Sequence, residues 1–316
     1  MSKLQKTDTQ YRYKLIAIQF LKVTFLLLFM SLLTLLFTLN LQYNGTGTII
    51  RNATGTTNIQ TATGEAAFMA VSALIGASLI FFLLLKHKFT FIYLLFISSM
   101  FIVTFVALEL HLTSLLNFNQ INENILILMS LLLSLIIVYS VFINKNITIN
   151  TIGLTFFVSI TGSLLGIMFT DVQITLILLI LSLYDIFTVT KGPLKKIVIK
   201  INEIEEKTMK GIISDTSHIN SQSKNVMTEK KLNFRRGMFL TLGHVEFGIG
   251  DMLFYSAIIS NAFTIAFLVY TITLIGVIIG VGFTLYLLTR RELVPGLPIP
   301  SLLGLIALWI TKLFLI

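Results

Sequence analysis

Long apolar stretches recur along the chain, separated by short polar breaks. Lipid satisfies no backbone polar group, and a helix crosses hydrocarbon with roughly 20 apolar residues. Nine stretches meet or nearly meet that length: 15–41, 66–85, 89–112, 124–143, 149–169, 172–190, 238–260, 263–288 and 298–316. The pattern predicts an all-α polytopic membrane protein with nine transmembrane helices. It divides into 1–190 with spans 1 to 6, a polar loop at 191–237, and 238–316 with spans 7 to 9.

Composition agrees. The 316 residues are 55% hydrophobic and 12% charged, with a mean hydropathy of +0.91, where soluble proteins carry about 25% charge. The net charge of +9 reads as membrane orientation rather than nucleic-acid binding, because of where the basic residues fall. The polar N-terminus, with Lys22 just inside the first span, and alternate loops hold all but Arg51 and Lys312, so 21 of 23 basic residues lie on one side. That side is cytoplasmic by the positive-inside rule, which puts the N-terminus inside and the C-terminus outside. The first apolar run lacks a cleavage site of small residues after a short core and reads as a retained span. Cysteine is absent, which excludes disulfides and thiolate chemistry. The 41–65 loop carries sequons at Asn44-Gly45-Thr46 and Asn52-Ala53-Thr54 on the predicted outer face. In the 191–237 loop, Leu194, Ile197, Val198, Ile201 and Ile204 fit one face of a surface helix after Pro193; their alternation also fits a short strand. The Ser/Asn/Lys/Thr-rich part from Lys210 to Thr228 predicts disorder.

Two carboxylates interrupt this apolar background. Asp185 lies near the cytoplasmic end of span 6, roughly 8 Å into the membrane, and Asp251 lies on span 7, roughly 12 Å in. Ionisable residues at such depth mark function by default. Spans 6 and 7 run in opposite directions, so their two carboxylates can face each other. Two close carboxylates share one proton, which suits them to activate water and to polarise a carbonyl. Such chemistry needs no metal or cofactor. Gly248 and Gly250 leave room beside Asp251 and weaken the helix locally. Pro295-Gly296-Leu297-Pro298 breaks the start of span 9, freeing backbone groups that line a cavity or add a substrate strand.

Tyr184-Asp185, Gly248-x-Gly250-Asp251 and Pro295-Gly296-Leu297, in that order over spans 6, 7 and 9, resemble the presenilin and signal peptide peptidase family of intramembrane aspartyl proteases. Lys191-Gly192-Pro193-Leu194 and Phe254-Tyr255-Ser256 are closer to the presenilin branch, and the compact chain is similar to archaeal presenilin homologues. The resemblance implies a presenilin-like fold in a prokaryotic plasma membrane. It makes Asp185 and Asp251 the catalytic pair, with Pro295, Gly296 and Leu297 shaping the site. It also implies cleavage of single-span membrane proteins or leftover signal peptides within their transmembrane segments. Gly296 departs from the family, which usually has alanine there.

Other polar residues have plainer readings. Tyr184 either orients the acids by its hydroxyl or packs as an ordinary aromatic. Gly162-x3-Gly166 and Gly276-x3-Gly280 read as close helix packing through small residues. His244 and Glu246 offer too few ligands for a metal, and Glu109 and His111 read as interfacial. Asp171 reads as solvated in an outer turn, and Trp309 as a packing residue or an interface anchor. Rival functions use the same residues differently. An ion-coupled transporter or channel would bind a cation at the two aspartates, yet spans 1 to 5 hold no matching repeat of the motif. A prepilin-type peptidase typically has a lysine soon after the aspartate, where Met252-Leu253 stand here. The third rival is an inactive scaffold.

Overall fold

The structure, a computed structural model, describes residues 3–43, ten helical positions between 64 and 83, and residues 89–116, 123–144, 146–190, 239–242, 245–288 and 294–315. Its elements in chain order are α1 (Lys3–Tyr43), α2 (Phe89–Leu115), α3 (Glu123–Phe142), α4 (Ile147–Met168) and α5 (Asp171–Thr190). There follow β1 (Phe239–Leu242), β2 (Val245–Gly248), α6 (Ile249–Ile265), α7 (Phe267–Leu288) and α8 (Pro298–Leu315). Seven of these helices are long and apolar enough to cross a membrane, and α6 is a shorter apolar helix. Span 2 lies mostly outside the described residues, although the positions that are described there are helical. The 191–237 loop, with its expected surface helix, lies outside them as well.

The span expected at 238–260 differs in the structure. Phe239–Leu242 and Val245–Gly248 form an antiparallel hairpin, with Phe239 opposite Gly248 and Leu242 opposite Val245. The helix starts only at Ile249 and continues to Ile265. Hydropathy alone does not distinguish a short apolar strand from a helical turn. Gly248 closes β2 and caps α6 in one residue, with an extended backbone at φ −63° and ψ 137°.

The centre of the bundle is α6, which packs against α4, α1, α7 and α8. Every residue from Tyr255 to Ala262 is buried, so this helix turns no face to lipid. Its polar side chains must therefore find partners in protein. Ser256 meets Thr34 at 2.7 Å and Ser260 meets Thr38 at 2.9 Å, both on α1. Ser260 also donates to the Ser163 carbonyl, and Asn261 donates to the carbonyls of Gly166 and Phe169. Glycines make the approach possible. A Cβ on Gly162 would strike Ser256, and one on Gly166 would strike Ser260 and the Ala257 carbonyl. Gly276 and Gly280 bring α7 against Leu303, Ala307 and Pro300 of α8 in the same way. Both glycine spacings are thus sites of close helix contact. The outer helices show the opposite pattern, with Leu128, Leu132, Leu135 and Ile136 of α3 exposed as lipid-facing residues are.

His111 is not interfacial. It is 3% exposed, with Nε2 3.0 Å from the Ser163 hydroxyl and its ring 4.9 Å from that of Phe37. Asp171 is not solvated either: it is 8% exposed and forms an ion pair with Lys312. In both cases a distant helix covers the residue, which local sequence does not reveal.

Candidate active site

Three chain segments meet at the carboxylates. Asp185 lies in the last two turns of α5. Asp251 lies in the first turn of α6, beside backbone N–H groups that have no partner within the helix. The third segment is Pro295-Gly296-Leu297, just before α8. Pro298 starts α8, at a position where a missing N–H does no harm.

One peptide unit, that of Gly296 and Leu297, joins the three. Its N–H, on Leu297, donates to Asp185 Oδ2 at 3.2 Å. Its C=O, on Gly296, accepts from the Tyr255 hydroxyl at 2.8 Å. On its third side lies Asp251: a Cβ built on Gly296 would collide with Asp251 Oδ2. The two carboxylates are within electrostatic reach of each other. The helix break was expected to leave backbone groups free, but at Gly296–Leu297 both are used. The Leu297 carbonyl is also taken, by the Ser301 hydroxyl at 2.6 Å and the Ser301 N–H at 3.1 Å.

The two glycines near Asp251 differ. A Cβ on Gly248 would stand 3.2 Å from Asp251 Oδ2, whereas one on Gly250 would point into open space. Gly250 is exposed and Gly248 half-buried, so one side of Asp251 is open. Met252 is fully buried and anchors the first turn of α6 from behind. Tyr184 is half-buried, and its hydroxyl makes no hydrogen bond among the described residues. The hydroxyl in the cluster belongs to Tyr255, which the sequence offered only within the motif Phe254-Tyr255-Ser256. Asp251 and Tyr255 stand four residues apart, on one face of a helix. That spacing was the available signal. Glu246 lies in β2, His244 lies outside the described residues, and no metal-binding cluster of three or more His, Cys, Asp or Glu is present among the described residues.

Fold and site together define a class: a multi-pass integral membrane protein of packed helices with a pair of carboxylates at a broken helix start. Residues 214–316 match the family model described as Presenilin. The match takes in Gly248–Asp251 and Pro295–Leu297, while Asp185 lies outside it. A solved structure described as a presenilin family intramembrane aspartate protease in C222 space group aligns with a TM-score of 0.53 at 14% identity, over 91% of this chain and 99% of that one. The fold is presenilin-like. The resemblance drawn from the motifs thus holds in the sequence of the C-terminal third and in the fold of nearly the whole chain. No curated protein matches the chain.

Proposed function

We propose that this protein is an intramembrane aspartyl protease that cuts peptide bonds within the transmembrane segments of single-span membrane proteins or signal-peptide remnants. The observation that carries the proposal is the approach of Asp185 and Asp251 to the Gly296–Leu297 peptide unit from two different helices. The fold's likeness to a presenilin family intramembrane aspartate protease supports it.

In the proposed reaction the pair holds one proton. The ionised carboxylate takes a proton from water, and the water oxygen bonds to the scissile carbonyl carbon. The protonated carboxyl gives its hydrogen to the carbonyl oxygen as charge develops there. The tetrahedral species collapses when the C–N bond breaks: the carboxyl that took water's proton gives it to the leaving nitrogen, and a hydroxyl of the gem-diol returns its proton to the other carboxylate, which restores the singly protonated pair. Leu297 N–H steadies Asp185, and the Tyr255 hydroxyl steadies the peptide unit that provides it. A helical substrate hides its peptide bonds, so it must unwind to react. The β1–β2 hairpin, which leads straight into α6, offers strand-edge backbone groups to such an extended segment. The open side at Gly250 gives it room.

The positive-inside argument puts the N-terminus and the carboxylate pair towards the cytoplasm, and the resemblance to archaeal homologues suggests a prokaryotic plasma membrane. The test is cleavage of a single-span substrate by purified protein in lipid vesicles. Asp185→Ala and Asp251→Ala should each lower turnover roughly 10³-fold or more. Full cleavage by either variant would overturn the proposal.

A further inference from the structure

α5 carries Asp185 near its end and is anchored in the core through Ile174 and Leu178, about two to three turns further back. It packs more extensively on α8 than on α6, and Leu183 and Phe187 on the turns around Asp185 are exposed. Between α5 and α8 runs a ladder of polar contacts in one antiparallel register. Asp171 pairs with Lys312. Trp309 Nε1 donates to the Thr175 hydroxyl at 2.9 Å. Ser182 and Ser301 share a hydrogen bond at 3.0 Å. Leu297 N–H reaches Asp185 at 3.2 Å. Each step down α8 matches a step up α5, so a slip at one rung displaces the others.

We propose that Asp171 and Lys312 are a remote positioning pair that sets the register of α5 on α8 and so the place of Asp185 beside Leu297. The pair acts over fourteen residues of α5, about 21 Å of helix. Its burial gives it hold. Asp171 has 10% of its side chain exposed and Lys312 has 24%, and the second oxygen of Asp171 is buried without a hydrogen-bond partner. Removing the ammonium therefore strands a buried carboxylate, which can regain water only by moving outward. Lys312 also lies over the Trp309 ring, 5.1 Å from its centroid, so the first two rungs act together. A displacement of Asp185 by about 1 Å is enough to slow a reaction substantially.

The inference rests on the protease reading, and the experiment separates the two. The chain has no cysteine and a single tryptophan, so both readouts are unambiguous. Ser182→Cys with Ser301→Cys forms a disulfide under mild oxidation only in the observed register, whether or not the protein cleaves anything. Trp309 emission reports the first two rungs. In this double-cysteine protein and in the parent chain, Lys312→Met should slow cross-linking several-fold and shift Trp309 emission. It should lower kcat about tenfold with KM within twofold. Lys312→Arg should restore cross-linking and kcat together. If Lys312→Met fails to fold, Thr175→Val breaks the adjacent rung and is judged by the same measures. Unchanged cross-linking or unchanged kcat in the folded variant overturns the inference. Absence of cleavage by the parent chain overturns the protease reading instead, and the cross-linking result still decides the register.

Discussion

Gly296 is enclosed on two sides, its carbonyl by Tyr255 and its Cα by Asp251. Presenilin-like sequences usually have alanine here, but in this chain an added methyl would collide with Asp251 Oδ2. Gly296→Ala should therefore displace that carboxylate and lower kcat about tenfold, with a smaller effect on KM; steady-state kinetics on a single-span substrate check this. Gly250→Ala should do the reverse. Its methyl meets open space, so it raises KM by crowding substrate and leaves kcat nearly unchanged. Tyr255→Phe removes the donor to the Gly296 carbonyl and leaves a shielded acceptor unpaired. That should destabilise the protein by about 1–3 kcal/mol in a detergent unfolding assay. The sequence made the two aspartates and the Pro-Gly-Leu segment legible, because a charge or a helix break in an apolar run is a local signal. Tyr255 was harder to read. A tyrosine in an apolar helix looks like any packing aromatic until the Gly296 carbonyl, 41 residues away, is seen to meet its hydroxyl.

At the scale of elements, α4 and α6 touch through glycine and serine. Gly166→Val would drive a branched side chain into Ser260 and the Ala257 carbonyl. It should destabilise the bundle by about 1–3 kcal/mol or more, seen as a lower Tm in detergent. Ser260→Ala removes one hydroxyl from a contact with two partners and should have a smaller effect. The glycine spacings showed in the sequence that helices come close, but not which ones. Partner identity is a long-range property: Gly162 finds Ser256, 94 positions away. For the same reason His111 reads as interfacial and Asp171 as solvated, although α4 covers the first and α8 holds the second. The hairpin at Phe239–Gly248 escaped for a different reason. A four-residue run such as Phe239–Leu242 or Val245–Gly248 is too short for its period to separate a strand from a helical turn, and only pairing chooses between them.

At the scale of the molecule, the long helices frame a site that lies at one end of a short one. If the two acids share a proton, activity should be bell-shaped with pH. Protonating the ionised carboxylate removes the base on the acid limb, and losing the shared proton removes the acid on the alkaline limb. Initial rates from pH 4 to 9 in vesicles of constant composition check it. A further consequence comes from the length of α6. Its 17 residues extend about 25 Å, less than the roughly 30 Å of a typical hydrocarbon layer. The shortfall lies at the Asp251 end, where the hairpin takes the place of helix. Because neighbouring helices and not lipid surround α6, that gap falls inside the bundle, where it offers the water of the proposed reaction a short route from one leaflet. Vesicles with longer acyl chains should lengthen that route and slow the proposed hydrolysis, so the thickness of the host membrane would act as a rheostat on it.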